Sequence, residues 1–108
     1  MKMPIIINEN GDVNIYWSLA DAETQIEAID IKNAEYIAYD GLGRLLSLEV
    51  ITPQVIRIKL DEYEPTHVDE AVDSLRNFVG IRFKKDADIN TLSLTDLLAL
   101  IVNNDIKN

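Results

Sequence analysis

The chain has 108 residues, 47% of them hydrophobic and 27% charged, with no cysteine and a formal net charge of −9. This describes one globular domain that can bury a core without metal or disulfide staples, and it excludes disulfides, thiolate metal sites and cysteine nucleophiles. The charge disfavours nucleic acid and anionic membranes as partners, and no apolar run approaches the ~20 residues of a membrane span.

"PIIINENGDVNIYW" sets two β-branched runs about Asn10-Gly11, the pair that best tolerates the positive φ angles of a type I′ turn. A hairpin is expected, Ile5 to Glu9 and Asp12 to Trp17, with Val13, Ile15 and Trp17 on one face. "SLADAETQIEAID" begins with a serine that caps a helix and an aspartate three positions on. Leu19, Ala22, Ile26 and Ile29 form its apolar stripe, while Glu23, Glu27 and Asp30 form an anionic row on another side. As a rule such a row is a solvated face, and less often a binding surface.

"AEYIAYDGLGRLLSLEV" follows. A phosphate cradle needs its glycines between a strand and a helix N-terminus. Here the residues after Gly43 are strand-like and no Lys-Ser/Thr pair follows, so Gly41 and Gly43 are expected to turn a hairpin. Thr52-Pro53 ends the second strand, and "QVIRIKLDEY" makes another, with Ile56, Ile58 and Leu60 inward. "EPTHVDEAVDSLRNFVG" is the clearest helix. Thr66 and Asp69 cap it, Val68, Ala71, Val72, Leu75, Phe78 and Val79 face the core, and Gly80 closes it. "IRFKKDADINT" is expected as a loop or short edge strand. Ser93 and Asp96 open a last helix with Leu94, Leu97, Leu98, Ile101 and Val102 inward, and the tail "NNDIKN" is expected to fray.

The fold class is therefore α+β: an antiparallel sheet of about five strands with three helices, in the order ββ-α-βββ-αα. Short connections favour helices on one face.

Catalytic constellations are weak. His67 is the sole histidine, in an acidic neighbourhood without an arrangement of partners around it. No nucleophile-elbow motif occurs. Asp61 and Glu62 are adjacent on a strand and point to opposite faces, so they do not form an acid–base pair. Asp86-Ala87-Asp88 resembles the start of a calcium loop that lacks its glycine and terminal glutamate. No enzymatic activity, cofactor or metal is expected. From Glu9 to Asp73 fifteen acids face Lys32, Arg44, Arg57 and Lys59, a net of −11, and the remainder is weakly basic. Such a field draws basic partners, and it also serves solubility. Two acidic groups stand out: Glu23, Glu27 and Asp30, and Asp61, Glu62, Glu64, Asp69, Glu70 and Asp73 around Pro65. Tyr36, Tyr39, Tyr63 and Trp17 lie near them in sequence, either as core residues or as anchors of a protein interface.

Residues 18–46 carry a longer pattern: Glu-x-x-Asp at Glu27 to Asp30, Asn-x-Glu-Tyr at Asn33 to Tyr36, and Tyr-Asp-x-x-Gly-Arg-x-Leu at Tyr39, Asp40, Gly43, Arg44 and Leu46. This resembles small bacterial immunity proteins of polymorphic-toxin and contact-dependent growth inhibition systems. The resemblance covers about a quarter of the chain and implies a single immunity-type domain, residues 1–108. Its implied role is to bind a cognate toxin domain, often a nuclease, in the producing cell and block its active site or substrate path, with no catalytic residues of its own; a cytoplasmic location is expected from the lack of a membrane-spanning or signal-peptide run. On that expectation Glu23, Glu27, Asp30, Tyr36, Asp61, Glu62, Tyr63, Glu64, Asp69, Glu70 and Asp73 contact the toxin. The rival readings are a secretion or assembly adaptor for an effector protein, and a small enzyme or ligand binder under the "YDGLGR" loop.

Overall fold

A computed structural model describes residues 1–33, 35–83 and 88–108. Five strands form one antiparallel sheet: β1 Ile5–Glu9, β2 Asp12–Tyr16, β3 Tyr36–Tyr39, β4 Leu45–Thr52 and β5 Val55–Leu60, in the spatial order β2-β1-β3-β4-β5. The helices are α1 Leu19–Gln25, α2 Ala28–Lys32, α3 Val68–Arg82 and α4 Leu94–Asn103, with a 3-10 turn at Ile89–Thr91. The expected class and order hold. Among the described residues no helix is long and apolar enough to cross a membrane.

The helices do not share one face. Ile6, Val13, Ile15 and Tyr39 pack with Leu75, Phe78, Leu97 and Ile101 of α3 and α4. Ile5, Ile7, Ala38, Leu46, Ile56 and Ile58 pack on the other side with Ala22 and Ile26. The isoleucine run of β1 explains this, because successive side chains on a strand point to opposite faces. Ile5, Ile6 and Ile7 are all buried, so the central strand needs a cover on both sides.

The first expected helix is broken in two. Ile26 is extended, with φ −89° and ψ 133°, and its side chain is buried against the sheet. A continuous helix would have aligned it with Ile29, but Ile29 is 62% exposed and belongs to the separate turn α2. The row of Glu23, Glu27 and Asp30 is dispersed by the same break. Trp17 lies beyond the end of β2 and is 48% exposed instead of facing the core with Val13 and Ile15. Val102 is 59% exposed, not inward, while Leu94, Leu97 and Ile101 are buried as expected.

Helix boundaries also shift. Asn10 and Gly11 both take positive φ, at 51° and 95°, as the β1–β2 turn requires. The cap of α3 is His67 rather than Thr66, and no side chain caps it. Gly80 lies inside α3, which runs on to Arg82. Arg82 stacks on Phe78 with 4.0 Å to the ring centroid, and its Nε donates to the Lys107 carbonyl at 2.9 Å. Those contacts offset the cost of a helical glycine, about 1 kcal/mol. The tail does not fray at its end. The Asn108 side chain accepts from Ile15 N–H at 2.7 Å and donates to Ile15 C=O at 2.6 Å, imitating a neighbouring strand on the free edge of β2. The loop expected after α3 lies partly outside the described residues, as do Asp86 and Ala87 of the calcium-like run. Asp88 accepts from Asn90 N–H at 3.1 Å and caps the 3-10 turn.

Candidate functional site

The loop between β3 and β4 folds around one carboxylate. Asp40 is fully buried. Its Oδ1 accepts from Leu42 N–H and Arg44 N–H, each at 3.0 Å. Its Oδ2 accepts from Lys2 N–H at 3.0 Å and Arg44 Nε at 2.9 Å, with Arg44 Nη2 at 2.8 Å. Desolvation disfavours the charged form of Asp40, yet these donors overcome it and hold the carboxyl below its ordinary range. Gly43 has φ +80°, and a Cβ there would lie 2.7 Å from Val68 Cα, so the loop can approach α3 only with glycine at this position. His67 N–H then donates to Gly43 C=O at 3.1 Å. The glycines turn the chain, as expected. The carboxylate and guanidinium of "YDGLGR" are used up between the loop and the Lys2 amide.

A second carboxylate locks the approach to α3. Glu62 Oε1 accepts from Leu45 N–H at 2.8 Å, Thr66 N–H at 3.3 Å and His67 Nδ1 at 2.9 Å. Its Oε2 accepts from the Thr66 hydroxyl. Desolvation again opposes the charge, and the hydrogen bonds from Thr66, His67 and Leu45 together hold Glu62 at about 2. His67 is raised above 6.5, chiefly by its hydrogen bond to Glu62 and against desolvation, with Glu70 and Asp61 adding in the same direction. Its ring also lies 6.3 Å from that of Tyr39. Glu62 therefore turns inward to the backbone, whereas Asp61 is exposed.

Around this pinned corner the surface is acidic. Asp61, Glu64, Asp69, Glu70 and Asp73 are all exposed, and Tyr63 is 82% exposed. Leu42, at the tip of the Asp40 loop, is also exposed. Asp69 and Glu70 stand in the first turn of α3, where the helix dipole favours negative charge. Asp73 has a local partner in Arg76, at 3.5 Å. The dipole does not account for Asp61 or Glu64, which precede the helix.

The other predicted residues lie elsewhere. Ala38 pairs with Leu46, and Leu46 with Leu60, so the acidic corner follows one end of the strands. Glu9 pairs with Tyr36 at the opposite end, where Asp30 accepts from the Tyr36 hydroxyl at 3.2 Å. Burial raises the Tyr36 hydroxyl above its ordinary value, and Glu9 and Asp30 add to that. Glu9, Asp30 and Glu35 bring carboxylate oxygens within 4.8 Å of one another. Glu35 is raised above its ordinary range, chiefly by its hydrogen bond to Asp30, with desolvation and the charges of Asp30 and Glu9 adding to it. Glu27 precedes α2 without capping it. Glu23 reaches around the sheet edge to accept from Ile58 N–H at 2.7 Å.

The two acidic groups of the sequence are thus two separate places, and Glu23 and Glu62 are bonded to backbone rather than displayed. Sequence reasoning did not bring Glu9 and Glu35 to Asp30, because strand register is a long-range property. The Glu62–Thr66–His67 spacing around Pro65 was the available signal for the corner.

No protein-family model matches the chain, and no curated protein or solved structure matches it either.

Proposed function

We propose that this chain is an immunity-type binding protein that neutralises a basic toxin domain of its own bacterium, with the corner between β5 and α3 as its grip. The observation that carries the reading is Tyr63, almost wholly exposed between the exposed Asp61 and Glu64 and followed by a first helical turn that carries Asp69 and Glu70, on a backbone tied down by Glu62 and Asp40. A solvated tyrosine gains nothing for folding, while aromatic anchors dominate binding energy at interfaces. Surrounding carboxylates steer a cationic partner toward it. Toxic nucleases are basic where they grip phosphate, so the corner complements the surface such an enzyme uses on its substrate. The resemblance of residues 18–46 to immunity proteins points the same way. In this reading the chain performs no bond-making.

The test is growth rescue together with purification alongside the product of the adjacent gene. Cells making the active toxin should grow when this chain is co-expressed and should stop growing with Tyr63→Ala. If the neighbouring product is harmless and does not bind, the reading fails. If binding occurs but only export or solubility of the partner changes, the adaptor reading replaces it.

A further inference from the structure

β2 ends at Tyr16, and Trp17 leaves the strand half in solvent. Its side chain lines a hollow of about 710 Å³ between the start of α1 and the segment that follows α4. Ile15 and Ile101, both buried, and the half-buried Ile106 give that hollow an apolar lining. The backbone beneath it is already satisfied. Ile15 N–H and C=O are both held by the Asn108 side chain, and Ile106 N–H donates to Ile101 C=O at 3.0 Å. Arg82 Nε holds the Lys107 carbonyl at 2.9 Å, so the segment that closes the hollow is fixed at several points. The hollow is therefore preformed, and its volume lies in the range of small-ligand sites.

The charged groups of the lining are Asp21, Asp105 and Lys107, two carboxylates to one ammonium. Lys107 Nζ lies 3.6 Å from Asp105 Oδ2 with both side chains largely in water, a pair of little strength. Asp21 has no ion-pair partner among the described residues. The Trp17 ring has no cation over it there either, since the cation–π pair of the described residues is Arg82 on Phe78. Tryptophan offers a cation the strongest of the aromatic faces, and neighbouring carboxylates pull in the same direction. We propose that this hollow binds an organic cation carried on an apolar body, the charge lying near Trp17, Asp21 and Asp105 and the apolar part against Ile101 and Ile106. On binding, the cation displaces Lys107 from Asp105. An anion is opposed by the excess carboxylate of the lining and by the net charge of −9. The hollow lies by β2, at the opposite edge of the sheet from β5 and the Tyr63 corner, and the proposal is independent of the toxin-binding reading.

Trp17 is the sole tryptophan, so its fluorescence reports on the hollow directly. The probe is phenethylammonium, compared with 2-phenylethanol and 3-phenylpropionate, which keep the ring but are neutral and anionic. Phenethylammonium should shift the emission and saturate near ~1 mM, as suits a ligand of its size. It should bind about tenfold more tightly than either analogue, and sodium chloride at equal ionic strength should not reproduce the shift. Asp21→Asn and Asp105→Asn should each weaken phenethylammonium about threefold or more and leave 2-phenylethanol unchanged. Both positions are exposed, and asparagine tolerates the φ of 50° at Asp105, so the melting temperature should stay in place. Lys107→Gln should tighten binding, because it removes the competing ammonium, a response that an apolar patch alone does not give. A fourth probe, N-acetyl-arginine amide, separates the two sources of such a cation. If it binds more tightly than phenethylammonium, the hollow takes a side chain of a partner protein; the reverse order assigns it to a free amine, and either order upholds the proposal. The proposal is overturned if the emission does not saturate with any cation, if 2-phenylethanol binds as tightly, or if Lys107→Gln fails to tighten binding.

Discussion

His67 and Glu62 stabilise each other over a defined range of pH. The carboxylate, depressed to about 2 in the fold, contributes stability above its ordinary 4.5 that is lost as pH falls through the folded value. The imidazole, raised in the fold, contributes stability in full below its ordinary 6.5, and this is lost as pH rises through the higher folded value. Both contributions are present together between 4.5 and 6.5. The melting temperature of the native chain should therefore exceed that of His67→Gln most in this window, and the gap should narrow on either side. A gap that is flat across pH would mean the pair acts through shape alone. Asp40 is the residue whose loss should cost most. Asp40→Ala leaves the Lys2, Leu42 and Arg44 amides and a largely buried guanidinium without their acceptor. About 3–5 kcal/mol of stability should disappear in urea unfolding, the usual cost of stripping one member from a buried pair.

At the scale of elements, local signals were reliable where the chain satisfies itself locally. Ser93 and Asp96 form a reciprocal capping box, with Asp96 N–H donating to Ser93 Oγ at 3.2 Å, as the four-residue pattern implied. Ser93→Ala should cost about 1 kcal/mol in the same urea experiment. Asn10-Gly11 and Gly43 likewise do what their backbone freedom suggests. The failures share one cause, which is that distant partners outbid local ones. Thr66 has the chemistry of a helix cap, but its hydroxyl donates to Glu62. Glu23 stands on a helix, but its carboxylate satisfies β5. Ile26 could have continued a helix, but the core takes its side chain and the helix breaks there.

Across the whole molecule, the excess negative charge is distributed rather than concentrated. The acidic corner follows one end of the strands, and the Glu9, Asp30 and Glu35 cluster lies at the other. If the corner is the toxin grip, reversing Glu64, Asp69 and Glu70 to lysine should cost little stability, about 0.5 kcal/mol at Glu64 and about 1 kcal/mol each at Asp69 and Glu70, where the helix dipole favours the acid. The same change should slow association with a basic partner by about tenfold or more at low ionic strength, an effect that fades as salt is added. Reversing Glu9, Asp30 and Glu35 instead, the same change of net charge at the other end of the strands, should leave association nearly unchanged. Stopped-flow measurements of the two variants separate these outcomes, and an equal effect from both would mean that net charge, not the corner, governs encounter.

The sequence by itself determined the element types, their order, the turn glycines and most of the inward-facing residues, because periodicity, capping and turn chemistry act within a few residues of the chain. Only the tertiary structure decided that the helices lie on both faces of the sheet, that the first helix breaks at Ile26, and that Glu62 and Glu23 serve the backbone while Tyr63 stands clear. Each of those outcomes depends on strand register and on which distant donor reaches a carboxylate first, and burial makes an unsatisfied backbone group costly enough to override a local preference.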